Sequence, residues 1–199
     1  MTLPSRRPFT SSFYARATVW VARALLGCVL ESRIGHARTA GRIVEVEAYV
    51  GADDPADHGF GYRRTARNAA LFGPPGTAYV YRSHGVHWCV NAVTERAGEP
   101  CAVLIRALEP TSGIPTMCER RGTAEVRRLC AGPGRLCAAL GITAAEDGAR
   151  LDRGSLRILR SARGRGERIG ASPRVGITRA ADWPLRFFQI GRASCRERV

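Results

Sequence analysis

The chain has 199 residues and 21.6 kDa, 45% hydrophobic residues and a formal net charge of +14. That size favours one domain with a real core, and the charge points to a polyanion or an anionic surface as partner, or to a basic surface with none. All 31 basic residues are arginine, so side-chain Schiff-base chemistry is excluded.

Seven cysteines occur without a C-x-x-C pair, which argues against a disulfide framework or a zinc site and for a reducing cytoplasm. Arg6-Arg7 is not followed by an uninterrupted apolar stretch, so an export signal is not expected. No run is long and apolar enough to span a bilayer.

Residues 1–10 carry Pro4 and Pro8 and read as a loose arm. Ser11 or Ser12 is placed to cap a helix reaching Leu26, with Val19, Ala22, Leu25 and Leu26 as its apolar stripe and Gly27 as its stop. Cys28–Ser32 and Gly41–Val50 read as paired strands. In the second, Ile43, Glu45, Glu47 and Tyr49 share one face, and Val44, Val46, Ala48 and Val50 the other. Two carboxylates side by side fit either a solvated strand face or a catalytic one.

Residues 51–76 form a long loop rich in Gly, Pro and Asp, the kind that often carries function. It holds His58, Tyr62, Arg63, Arg64, Arg67 and Asn68, with a short helical turn expected over Asn68–Phe72. Thr77–Tyr81, His87–Val93 and Cys101–Leu108 read as an antiparallel meander, with Arg82–Gly85 as a hairpin tip. Arg106 lies in an otherwise apolar run and needs a partner, for which a carboxylate of the Gly41–Val50 strand is the obvious candidate.

Thr116–Cys130 and Arg135–Leu140 read as helices, the second opened by Gly132-Pro133-Gly134, a weak phosphate-site signal. Leu151–Leu159 suggests a strand, Ser161–Arg168 a basic loop, and Pro173–Ile177 a short extended segment. Trp183, Pro184, Phe187 and Phe188 are placed to close the core. Residues 190–199 look like translated sequencing adapter and are read as foreign. They hold three arginines and one glutamate, so the basic character does not depend on them. The expected fold is α+β: one compact domain over 11–189, a curved, mostly antiparallel sheet flanked by helices.

Glu47 beside Arg106 could hold and deprotonate a water. Tyr49, His58 and Tyr81 offer flat faces for a planar group, and a nucleobase swung out of a duplex suits such a pocket on a basic protein. His84, at the hairpin tip, is placed to fill the vacated space. Tyr49 and Tyr81 also fit plain core positions. His84, His87 and Cys89 hint at a metal, but the hairpin offers no fourth ligand.

Several ordered motifs resemble the alkyladenine (3-methyladenine) DNA glycosylase family in its bacterial form. They are Ala24-Leu-Leu-Gly27, Gly41-Arg-Ile-Val-Glu-Val-Glu-Ala-Tyr49, Arg64-Thr-Ala-Arg-Asn68, Phe72-Gly-Pro-Pro-Gly-Thr-Ala-Tyr-Val-Tyr81, Gly85-Val-His-Trp-Cys-Val-Asn91, Val103-Leu-Ile-Arg-Ala-Leu-Glu-Pro110 and Gly132-Pro-Gly-Arg-Leu-Cys137. The resemblance runs from about Phe13 to Phe188. It implies a monofunctional DNA N-glycosylase that initiates base excision repair without metal, cofactor or lysine imine, leaving an intact abasic site. Glu47 would be the general base and Arg106 its positioning partner. Tyr49, His58 and Tyr81 would stack around the base, and Asn91 would line the pocket floor. His84 stands where the family commonly has an intercalating tyrosine.

The implied partner is double-stranded DNA containing damaged purines, met by a cytoplasmic, nucleoid-associated monomer. Arg64, Arg67, Arg135 and Arg174 are the candidate backbone contacts, or else ordinary surface charges. Two other classes stay open: a non-catalytic nucleic-acid-binding module, and a carbohydrate glycosidase using Glu45 and Glu47 as a carboxylate pair.

Overall fold

The fold is built on one long strand. In the computed structural model, which describes residues 7–161 and 167–192, β2 runs over Thr39–Val50. One edge pairs with β5 (Cys101–Ser112) along nearly its whole length. The other edge is shared: β1 (Val29–Ser32) pairs with Thr39–Arg42, and β8 (Arg186–Gln189) pairs with Glu45–Glu47. Beyond β5 lie β4 (His87–Thr94) and β3 (Ala78–Ser83); beyond β1 lies β6 (Leu156–Leu159), and β7 (Ile169–Ser172) pairs with β8. Every pairing is antiparallel, and the sheet curls, as expected of the α+β class.

The change of partner on β2 coincides with a bulge. Its register against β5 slips between Ile43 and Val46. A bulge inserts one residue and re-aims side chains. Ile43 therefore joins Val46 and Ala48 in the main core rather than sharing a face with Glu45 and Glu47. Strict alternation from Ile43 placed it on the wrong side.

The expected helix over 11–26 is two pieces, α1 (Ser11–Tyr14) and α2 (Thr18–Leu25). Glu95, from the turn after β4, accepts hydrogen bonds from the Thr18 N–H (3.1 Å) and hydroxyl (2.6 Å), capping α2 from outside its own segment. The stretch over 116–130 also divides, into α3 (Ile114–Arg121) and α4 (Val126–Leu129), because Gly122 takes a left-handed C-terminal position (φ 62). The helix α5 spans Pro133–Leu140.

Part of the supposed arm is packed. Phe9 stacks on Phe13 at 3.7 Å, and the Arg7 carbonyl accepts from the Arg160 N–H. Met1–Arg6, 162–166 of the basic loop and 193–199 of the terminal segment lie outside the described residues. Phe187 enters the core, whereas Trp183 is half-buried. Among the described residues no helix is long and apolar enough to cross a membrane.

Gly51 ends β2 with φ +91, and a Cβ there would lie 2.7 Å from the Cys101 Sγ. We expect Gly51→Ala to destabilise the protein by about 1–3 kcal/mol. A thermal unfolding midpoint unchanged from wild type would contradict this packing.

Candidate active site

The bulge brings two carboxylates of β2 together at the centre of the sheet. Glu45 and Glu47 are both fully buried. Arg106, from the neighbouring β5, reaches both: its Nε donates to Glu45 Oε1 at 2.9 Å and its Nη1 sits 3.1 Å from Glu47 Oε1. Arg186 of β8 adds a second donor to Glu45 Oε1 at 2.8 Å. This is the partner that a charge in an apolar strand requires.

Glu47 is further held by the Val175 N–H at 2.7 Å and by the Tyr49 hydroxyl, which donates to Oε2 at 3.0 Å. Burial raises its pKa above the ordinary 4.5, and Arg106 with the two hydrogen bonds only partly offsets that. The guanidinium alone therefore does not set the carboxyl's ionisation.

A cavity of about 450 Å³ opens in front of this group. Glu47 lies directly behind its wall, since Tyr49, Arg106 and Val175 all line it. The other walls include His58, Tyr79, Tyr81, His84, Asn91 and Arg67. Tyr79 and Tyr81 stack with centroids 5.4 Å apart, and His58 meets Tyr81 edge-on at 4.5 Å. The His58 Nδ1 and Tyr79 hydroxyl share a 2.8 Å hydrogen bond, while desolvation and the Arg67 charge lower the imidazole pKa. Asn91 is buried and donates to the Tyr79 carbonyl at 3.0 Å.

At the hairpin tip His84 and Gly85 both have positive φ, 48° and 69°. That conformation is unusual for a non-glycine residue. It projects an exposed imidazole at the cavity rim. Arg67 fixes the same hairpin by donating to the Arg82 carbonyl.

The surface arginines divide. Arg64 and Arg67 are exposed beside the cavity loop, and Arg135 is exposed on α5. Arg174 is different: its side chain is fully buried, forks onto Asp54, donates to the Ala48 carbonyl at 3.1 Å, and lies 4.7 Å over the Tyr49 ring. A phosphate contact by Arg174 is corrected to an internal tie. An arginine fork matches a carboxylate with two parallel bonds, which favours the buried partner over a surface one.

Several lining residues had no place in the sequence reading. Tyr79, Asp57 and Val175-Gly176-Ile177 line the cavity, although the sequence presents them only as strand, loop and short extended segment. Asp53-Asp54-Pro55-Ala56-Asp57, just before His58, was the available signal. Acids are costly to bury, yet two of these three are buried.

A family model described as "Methylpurine-DNA glycosylase (MPG)" matches residues 12–193. The chain belongs to the methylpurine-DNA glycosylase family. That match runs past Ile190, into the segment read as foreign. A relative from Rhodopseudomonas palustris is 52% identical over 94% of this chain and 87% of its own length. One from Methanoculleus marisnigri is 50% identical over 96% of both chains, and one from Agrobacterium fabrum 48% identical over 92% and 89%. All three are named for 3-methyladenine DNA glycosylase. As a member of this family the chain is a DNA N-glycosylase, a hydrolase with DNA as its substrate.

Breaking the Asp54–Arg174 tie should leave one buried charge unpaired. We expect Asp54→Asn and Arg174→Met each to cost about 3–5 kcal/mol, and the double variant to cost less than their sum. Additive losses in urea unfolding would show that the tie is not a coupled pair.

Proposed function

We propose that this glycosylase extrudes an alkylated or deaminated purine into the aromatic cavity and hydrolyses its N-glycosidic bond with a water activated by Glu47. The observation that carries this reading is the position of Glu47: a buried carboxylate, held on three sides, behind the wall of a cavity lined by tyrosines. Oε2 keeps a lone pair beyond the Tyr49 bond and can accept a proton from a water. Arg106 restrains the other oxygen, so the carboxylate is already oriented before substrate arrives. The transition state carries positive charge on the sugar, which an anion at this place stabilises.

The rings of Tyr49, Tyr81 and His58 supply faces for a flat base, and Asn91 sits at the cavity wall with its amide fixed. Base flipping leaves a gap in the duplex, and His84 at the hairpin tip fills it in this reading. The lack of lysine agrees with plain hydrolysis: no imine forms on a side chain, and the product retains an intact abasic site. Damaged duplex DNA is the partner, bound by a monomer, with Arg64, Arg67 and Arg135 as the exposed backbone contacts.

The carbohydrate alternative needs two carboxylates that reach one sugar. Glu45 is turned to Arg106 and Arg186, whereas Glu47 is bonded to the cavity residues Tyr49 and Val175. A binding module without chemistry would gain nothing from burying Glu47 at a raised pKa.

Glu47→Gln should slow base release from a hypoxanthine-containing duplex by about 10²–10⁴-fold while binding of that duplex persists. Release at the wild-type rate would refute the general-base assignment. His84→Ala should slow release by roughly tenfold, since a wedge offsets unstacking costs of a few kcal/mol. The defect should shrink when the lesion faces a gap. An equal defect on both substrates would argue against a wedge.

A further inference from the structure

Among the described residues that line the cavity, Asp57 is the only acid. It is 7% exposed. Its Oδ1 accepts from the Gly59 N–H at 2.7 Å and its Oδ2 from the Gly51 N–H at 3.4 Å. Those bonds shape the loop that carries His58, but they do not require a charge. A serine or asparagine side chain forms the same kind of turn. A carboxyl at this depth is a costly choice for a turn alone.

We propose that Asp57 is a specificity residue: its carboxylate, at the wall of the base cavity, favours purines alkylated at N3 or N7, which are cations, over neutral damaged bases. This rests on the reading of the cavity as the base pocket. The other charge close to the reacting centre is largely cancelled, because Arg106 and Arg186 together match Glu45 and Glu47. Arg67 lines the same cavity and would repel a cationic base. Asp57 offsets that repulsion.

Its surroundings keep the group poised. Burial, with the nearby Asp54 charge, pushes its pKa up to about 7, while the Gly59 and Gly51 N–H groups and Arg174 oppose the shift. The titratable groups around it are Asp54, Arg174, Tyr79, Cys101 and the neighbouring His58. Burial, with the Asp147 and Asp57 charges, raises the pKa of the Tyr79 phenol, which lines the same cavity. Near neutral pH, a cationic purine would draw Asp57 into its ionised form and release a proton. A neutral purine would be held with Asp57 partly protonated and gain no such attraction.

The test uses single-turnover release by the full-length protein from two duplexes. One is methylated to carry 3-methyladenine; the other carries hypoxanthine. Asp57→Asn preserves the acceptor toward Gly59 and removes the charge. The ratio of 3-methyladenine to hypoxanthine release should fall by roughly tenfold, as expected for losing one opposite charge across such a cavity. Asp57→Ser should lower the ratio similarly. In the wild type the ratio should rise from about pH 6 to about pH 8 as Asp57 ionises, and that rise should vanish in Asp57→Asn.

The wild-type arm does not depend on how either variant folds. A pH-independent ratio in the wild type, or equal slowing of both substrates in Asp57→Asn, would overturn the proposal. Release of neither base by the wild type would overturn the functional reading beneath it, and the proposal with it.

Discussion

One guanidinium holds the centre of this protein together. Arg106 bridges Glu45 and Glu47, which stand two residues apart on β2 with no exposure to water. An isolated buried carboxylate would be prohibitively costly. Arg106 makes the pair tolerable, and Arg186 shares the load at Glu45. Two carboxylates facing two arginines leave the cluster near neutrality, so it can sit within the sheet. The arrangement separates two roles. Glu45 is a structural counter-ion, while Glu47 keeps one oxygen directed toward the Tyr49 side of the cavity.

The cluster depends on the strand that carries it. Because β2 exchanges β1 for β8 half-way along its edge, Arg186 lies opposite Glu47 in register while Arg106 comes from the other side. The bulge at the exchange sends Ile43 into the core and leaves both carboxylates on Arg106. The Asp54–Arg174 fork then ties the loop after β2 to the segment bearing Val175, whose N–H caps Glu47. Both walls of the cavity are thereby fixed to the same strand. Glu47 itself contributes against stability at neutral pH. Its folded-state pKa is raised, so the stability linked to it is present below pH 4.5 and is lost as pH rises through the folded value. Such a cost, concentrated beside a cavity, is typical of sites selected for chemistry rather than for stability.

Much of this was legible in the residues. Period-two alternation places the meander and points Arg106 to a carboxylate of β2, because those strands are regular. Local pattern failed where tertiary contacts decide. The bulge at Ile43–Val46 has no local signal, and α2 begins where Glu95 caps it from another turn. Gly122 did carry a signal, since glycine commonly ends helices. Ile169–Ser172 and Arg186–Gln189 are strands of four residues whose pairing with each other and with β2 depends on long-range closure. Within the site, Arg174 reads on sequence like any other basic residue of a basic chain. Its burial follows from Asp54, more than a hundred residues away.

Catalysis by the ionised form of one buried carboxyl, that of Glu47, is the proposal on which the function rests. It is tested most directly by following the Glu47 side-chain carbon by NMR against pH, alongside the single-turnover rate of base release. The two should titrate together, the rate climbing with pH through a midpoint above 4.5. A Glu47 midpoint at or below 4.5, or a rate that rises without following its ionisation, would contradict it.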